Sequence, residues 1–239
     1  MTAFVDLHCH TSASPDSLAS PRAVAKAAAE RGLTHLAITD HGTLSGAFAA
    51  RDSAPAGLTI HVGQEVKTSD GDLIAVFLEH AIRSGRPAAD AIAEIRDQGG
   101  LVGLPHPFDR WRGSVLRDAR LDSIGPLVDW VEVYNARVVG GGANDKAAEF
   151  ARVHERPGVA ASDAHSTLEV AVAYNVLNGD PSTPAGLLAA LPPVDLVVGR
   201  GSYIARLLTP IAKLVHMLPG GKGAGSAAAD DPDVAETRR

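Results

Sequence analysis

The stretch VDLHCHTSASPDS, residues 5–17, places two histidines one position apart at the end of the first apolar run of the chain. Residues i and i+2 of a β-strand point to the same face, so we expect His8 and His10 to project together from the end of a strand. The same alternation turns the thiol of Cys9 away, which favours a small core residue over a nucleophile. Asp16 follows in the next loop. The stretch therefore predicts a metal-binding site at the end of the first strand.

The composition is that of one large α/β domain. The chain has 239 residues, 45% hydrophobic and 21% charged, which is enough to bury a substantial core. Its formal net charge of -6 argues against a general electrostatic attraction to nucleic acid or to an anionic membrane surface. No apolar run reaches the roughly 18 residues of a membrane-spanning helix. With one cysteine and no signal sequence, we expect a cytoplasmic protein.

Short β-like runs alternate with Ala-rich helical stretches along most of the chain. AFVDLH is followed by PRAVAKAAAERG, and LTHLAITD is followed by SGAFAARDSA. This alternation predicts strands joined by crossover helices around a parallel sheet or barrel, with about seven strands before the last third of the chain.

One connection departs from the parallel pattern. Only six residues separate Glu65 from Asp72, too few for a crossover of about a dozen residues. The run Leu73–Leu78 should therefore return antiparallel to the preceding strand. We expect this reversal to bring Asp72 beside Glu65 and to carry His80 to the far end.

The pattern weakens after about residue 181. Val194–Gly199 is compatible with a last short strand, and a helical apolar stripe predicts a helix that docks on the body of the domain. The stripe consists of Ile204, Leu207, Leu208, Ile211, Leu214, Val215 and Leu218. Residues 219–239 are small, polar and aperiodic, so we expect one domain over residues 1–218 and a disordered tail over 219–239.

Residues of the kinds that bind metals recur where the apolar runs end. The carboxyl ends of strands form the active face of barrel-like α/β folds, so these separate segments should converge on one site. The residues concerned are His8, His10, Asp40, His41, Glu65, His106, Asp163 and His165.

The motifs HCH, TDH, GQE, HPFD and SDAH, in this order, resemble those of the PHP (polymerase and histidinol phosphatase) superfamily over roughly residues 4–178. The resemblance implies a distorted seven-stranded (β/α) barrel with two or three divalent metal ions, of zinc, manganese, iron or magnesium, that hydrolyses phosphate esters. It implies a set of ligands for each ion: His8, His10, Glu65 and Asp163 for one, Asp16, His41 and His165 for another, and Glu65 with His106 for a third.

The third metal position is where this chain departs from many relatives, which supply a histidine shortly after the glutamate. Here Asp72 stands where the antiparallel turn would place such a ligand. A carboxylate shifts the preference toward harder ions such as Mn²⁺ or Mg²⁺.

Several other residues have possible catalytic roles. Glu65 and Asp163, shared between metal positions, are the residues whose loss should cost most activity. Asp40 precedes a predicted ligand and is expected to orient an imidazole. Arg110 and Arg137 follow strand ends and suit bidentate binding of phosphate, the alternative being solvated loop charges. Asn135 is a candidate for orienting substrate or water.

These observations favour a metal-dependent phosphoesterase that acts on a small phosphomonoester or a short nucleotide. A sugar phosphate, histidinol phosphate, a nucleoside phosphate and the 5′ end of an oligonucleotide all remain open, as does the oligomeric state. Only 4% of residues are aromatic, so long nucleic acid is not expected, nor is a membrane partner. The alternatives are a non-catalytic metal-binding module and a metal-dependent hydrolase of non-phosphate substrates.

Overall fold

The computed structural model describes residues 1–109, 118–139, 142–200 and 208–218, and within them one curved sheet of nine strands. The sheet order is β7-β6-β5-β4-β3-β2-β1-β8-β9. The strands are β1 (Thr2–Asp6), β2 (His35–Ile38), β3 (Thr59–Lys67), β4 (Asp72–Val76), β5 (Leu101–Leu104), β6 (Trp130–Asn135), β7 (Gly158–Ala161), β8 (Tyr174–Asn178) and β9 (Asp195–Val197).

Helices connect most of the parallel strands, as the alternating sequence pattern predicts. They are α1 (Pro21–Glu30), α2 (Ser45–Asp52), α3 (Ala88–Asp97), α4 (Asp118–Ile124), α5 (Ala143–Val153), α6 (Pro184–Ala190) and α7 (Leu208–Met217). Helix α1 begins where the sequence indicates: the Ser20 side chain accepts a hydrogen bond from the Ala23 N–H, and Pro21 occupies the first position.

Strands β1–β7 form a nearly closed barrel. The segments that follow β1 and β7 pair through two hydrogen bonds, from the Asp163 N–H to the His8 carbonyl (2.9 Å) and from the His10 N–H to the Ala164 carbonyl (2.8 Å). The barrel class is confirmed. The predicted strands correspond to β1–β7, while β8 pairs antiparallel with β1 over residues 2–5 and β9 pairs antiparallel with β8.

The predicted chain reversal after Glu65 is confirmed. Strand β4 pairs antiparallel with β3, with Glu65 opposite Ile74 and Lys67 opposite Asp72. Residues directly opposite each other share a face of the sheet, so Ile74 shares the face of Glu65. Asp72 is two positions before Ile74 in the same strand and therefore lies on that face as well. His80 lies at the other end of β4 and is exposed.

The prediction for the C-terminal segment is correct in giving a helix, α7, but wrong in the face by which this helix packs. A helix is present, but its apolar residues Ile211, Leu214, Val215 and Leu218 are exposed. The side that faces the body carries Thr209, Ala212 and His216 instead. The reason is that the helix is held by polar contacts, from Arg137 to the Thr209 hydroxyl and from His216 to the Ser17 carbonyl.

Some predictions concern residues that the structure does not describe. Arg110, Ile204, Leu207 and the predicted tail lie outside the described parts of the chain, and the Leu208 side chain is not described. In the parts of the chain that are described, no helix is long and apolar enough to cross a membrane.

Candidate metal centre

The structure brings the eight predicted motif ligands together at the carboxyl ends of the barrel strands. They come from the segments after β1, β2, β5 and β7, and from β3 itself, which contributes Glu65. All are buried except His41, whose side chain is 32% exposed. The pocket therefore opens to solvent on the side of His41.

Four of these side chains present one atom each to a common point. The Nε2 atoms of His8 and His10 lie 3.0 Å apart, and each is 3.2 Å from Glu65 Oε2 and 3.5 Å from Asp163 Oδ1. Tetrahedral ligands about 2.0–2.1 Å from an ion are about 3.3–3.4 Å from one another. The donor atoms and their spacing fit a divalent ion.

A second cluster surrounds Asp16. Its Oδ2 atom is 3.3 Å from the Nε2 atoms of both His41 and His165. His10 also belongs to a compact group with Asp16 and His165 that could hold a metal ion. A mixed set of imidazole nitrogens and a carboxylate oxygen suits Zn²⁺, Fe²⁺ or Mn²⁺.

Glu65 connects the clusters. Its Oε2 atom faces His8, His10 and, at 3.6 Å, His41, while Oε1 is 3.2 Å from His106 Nε2. His106 forms a further group with His8 and Asp163. One buried carboxylate therefore contacts at least one histidine of each of the three predicted metal positions.

Hydrogen bonds to the other ring nitrogen orient the imidazoles. His8 Nδ1 donates to Glu132 Oε1 at 2.7 Å, and His165 Nδ1 donates to the Asp163 carbonyl at 2.9 Å. Because each Nδ1 atom carries the proton, each Nε2 atom keeps its lone pair for a metal. The chain thus holds these rings in the tautomer that a metal site requires.

The ionisable side chains in the pocket shift the pKa values of one another. Burial alone would raise the pKa of Glu65, yet His41 and His8 hold it well below its usual range. Burial would lower the pKa of His10, but hydrogen bonds to Asp163 and Glu65 raise it to about 9. Burial, then the charge of His10, lowers the pKa of His165 to about 4. Metal binding at such a centre displaces protons from histidines that would otherwise carry them.

Glu132 is the main site residue that the sequence analysis missed. It is buried in β6 and, besides bonding His8, accepts a hydrogen bond from the His106 N–H at 3.1 Å. Asn135 Nδ2 donates to Glu132 Oε2 at 2.9 Å and to Asp163 Oδ2 at 3.2 Å. A glutamate in the apolar run VDWVEVY was the available signal. Asn135 therefore orients ligands through this network.

The role expected for Asp40 is corrected. Its two oxygens accept hydrogen bonds from the N–H and the hydroxyl of Thr11, at 2.6 and 2.7 Å, and not from an imidazole. A Cβ atom at Gly46 would overlap both Asp40 Oδ2 and Thr11 Oγ1, so glycine is needed there. Asp40 holds the start of the loop that carries Asp16.

Arg137 lies at the rim of the pocket. Its guanidinium donates to Glu169 Oε2 at 3.4 Å and to the Thr209 hydroxyl at 2.8 Å, and its side chain is 9% exposed. Its positive charge contributes to the lowered pKa of His165. Asp72 is buried on the face of Glu65 but belongs to none of the compact metal-binding groups found among the described residues.

His35 and His61 lie at the opposite end of the barrel; both fall inside apolar runs of the sequence, a position typical of strand residues whose polar atoms are satisfied. His35 fits, because its ring nitrogens contact the hydroxyls of Thr34 and Ser182. His61 does not: it is buried, and within the described parts of the chain neither ring nitrogen has a well-formed hydrogen bond. Burial lowers the pKa of His61 to about 3.

Comparisons with known proteins agree with this geometry. The family model described as PHP domain matches residues 6–123, and the model described as PHP-associated matches residues 141–192. Uncharacterized protein MJ1587 of Methanocaldococcus jannaschii is 36% identical over 143 residues, which cover 55% of this chain and 81% of that protein.

Solved structures show the same fold at low identity. A two-domain protein from Bacteroides vulgatus, containing a predicted PHP-like metal-dependent phosphoesterase, has a TM-score of 0.67 and 18% identity over 82% of this chain and 64% of its own. The lesion-specific endonuclease PfuEndoQ of Pyrococcus furiosus has a TM-score of 0.62 and 19% identity over 82% of this chain and 57% of its own. The chain thus spans less than two thirds of either structure.

Proposed function

Because the chain belongs to the PHP-domain family, we propose that it is a metal-dependent phosphoesterase that hydrolyses a small phosphomonoester or a short nucleotide. The observation that carries this proposal is the shared carboxylate of Glu65. It contacts His8, His10 and His41 through one oxygen and His106 through the other. A carboxylate shared in this way is typical of centres that place two or more ions on one phosphate group.

Divalent ions held by these residues would supply Lewis-acid activation of water and positive charge for the phosphate oxygens. The chain supplies the arrangement around them. Glu132 and Asn135 fix the orientation of His8 and Asp163. We propose that Arg137 exchanges its contact with Glu169 for a phosphate group of the substrate.

A covalent thiol mechanism is disfavoured by the environment of Cys9. The residue is fully buried, and burial raises the pKa of its thiol well above the usual value. A protonated, inaccessible thiol is a poor nucleophile. Water is the nucleophile that the site favours.

The charge and composition of the chain bear on the size of the substrate, and the ligand types bear on the ions. The net charge of -6 and the scarcity of aromatic residues do not favour a long nucleic-acid track. The predicted mixture of nitrogen and oxygen ligands supports two or three ions of zinc, manganese, iron or magnesium.

The test is a panel assay on protein freed of metal and reloaded with each ion in turn. Phosphate released from sugar phosphates, histidinol phosphate and nucleoside monophosphates is measured together with metal content. We expect Glu65→Gln and Asp163→Asn to be nearly inactive, since each removes a carboxylate that several histidines share. Cys9→Ser, the matched control between the predicted ligands His8 and His10 in the chain, should keep most activity.

Three other results of this assay would contradict the proposed function. Loss of turnover in Cys9→Ser with unchanged metal content would replace the water mechanism with thiol chemistry. Metal binding without hydrolysis of any substrate would indicate a non-catalytic module. Hydrolysis of carboxylic esters or amides alone would indicate a hydrolase of non-phosphate substrates.

A further inference from the structure

Helix α7 is attached at both ends to the loops that carry metal-binding residues. Near its start, the Thr209 hydroxyl accepts a hydrogen bond from Arg137 at 2.8 Å. Near its end, His216 Nε2 donates to the Ser17 carbonyl at 3.2 Å, directly after Asp16 in the chain. The two anchors are seven positions apart, which is about 10 Å along the helix axis.

Both anchors continue into the metal centre. Arg137 is paired with Glu169, whose Oε2 atom also accepts a hydrogen bond from the His165 N–H at 3.2 Å. Ser17 donates through its hydroxyl to the His165 carbonyl at 2.9 Å. The helix therefore lies across the loop that carries His165, between the segments that follow β6 and β1.

Among the predicted ligands only His41 has a substantially exposed side chain, at 32%. Asp16 and His165, in the loops that the helix contacts, are 10% and 6% exposed, so the open side of the pocket is that of His41. The anchoring face of the helix is small and polar, with Ala212 only 1% exposed, while its large apolar residues point outward. Close approach to the loops, and not burial of apolar surface, thus determines how this helix sits.

We infer that helix α7 is a specificity wall, which closes the Asp16 and His165 side of the pocket and restricts the substrate to a terminal phosphate group. A terminal phosphate group can enter from the side of His41, because no further part of the substrate extends past the phosphorus toward the helix. An internal phosphodiester has chain on both sides of the phosphorus, and one of these chains would have to pass beneath the helix. The inference deepens the proposed function and rests on it for the identity of the reaction.

The test compares the double variant Thr209→Val/His216→Leu with wild type and with Leu214→Ala. The double variant removes both anchors while conserving side-chain volume. Leu214 lies on the outer face of the same helix, 61% exposed, so its truncation is the matched control. We expect backbone amides of residues 212–217, which are hydrogen-bonded within the helix, to exchange hydrogen about tenfold faster in the double variant only.

Binding to metal-loaded protein provides a measurement that needs no turnover. The two probes are inorganic phosphate and an oligonucleotide of about twelve nucleotides with hydroxyl groups at both ends. Wild type and Leu214→Ala should bind phosphate and should bind the oligonucleotide only weakly. The double variant should bind the oligonucleotide at least about tenfold more tightly than wild type does, and any hydrolysis of internal phosphodiesters should rise in parallel.

Two results would overturn the inference. Unchanged amide exchange would show that these contacts do not hold the helix, and faster exchange without oligonucleotide binding would show that the helix is not the barrier. If wild type hydrolyses no phosphoester, the proposed function fails, but the exchange and binding measurements still decide whether the helix controls access.

Discussion

His61 provides a quantitative prediction, because its environment penalises protonation and it lies away from the metal centre. Its ring packs between His35 and Phe77, with centroid distances of 5.4 and 4.7 Å, and neither nitrogen has a well-formed hydrogen bond to the described residues. Burial, with a smaller contribution from His35, lowers its pKa from 6.5 to about 3, and the nearby Pro181 carbonyl and Asp180 offset only part of this effect. The folded protein therefore keeps this ring neutral at pH values where the unfolded chain protonates it.

The direction of the effect follows from proton binding. The unfolded chain binds the proton first, so the stability associated with neutral His61 is complete above about pH 6.5 and is lost progressively as the pH falls toward 3. Each pH unit in this window removes about 1.4 kcal/mol. Acidification from about pH 7 to about pH 5 should therefore cost about 2 kcal/mol through this residue alone.

The substitution His61→Leu removes the titrating group with little change in volume. Urea unfolding of wild type and variant, both in chelator, would give the free energy of unfolding at each pH, and the metal-site histidines would contribute equally to both proteins. We expect the variant to lose about 2 kcal/mol less than wild type between about pH 7 and about pH 5. His80→Leu, at an exposed site on the same barrel end, is the control and should follow wild type. Equal losses in wild type and His61→Leu would refute the reasoning.

Two further predictions concern the metal centre. Glu132→Gln keeps the shape of the side chain but removes the charge that orients His8, so metal affinity measured by competition with a chelator should fall about 10- to 100-fold; an unchanged affinity would contradict the orienting role. Asp72→Ala should lower the number of bound ions in metal analysis while His80→Ala should not, since Asp72 shares the face of Glu65 and His80 lies at the far end of the strand. Loss of an ion only in His80→Ala would exclude Asp72 as the extra ligand.

Local rules in the sequence were enough for the α/β class and for the location of the site. Alternation of side chains places His8 and His10 together, and the short connection after Glu65 forces β4 to run antiparallel. The position of His106 and of the Asp163–His165 pair after apolar runs indicated one edge of the barrel. These features depend on neighbours in the chain, which is why they could be predicted.

Closure of the barrel decided the rest. The contact of Glu132 with His8 joins residues 124 positions apart, and a glutamate in a strand carries no local sign of such a partner. The outward apolar face of α7 and the unbonded ring of His61 have the same origin. Helical periodicity shows that one face of a helix is apolar, but it does not show which surface the helix packs against. Alternation in a strand shows that a side chain is buried, but it does not show whether a hydrogen-bond donor or acceptor lies beside it. Hydrogen bonds and packing between distant segments exist only once the barrel has brought those segments together, so the tertiary structure alone determined them.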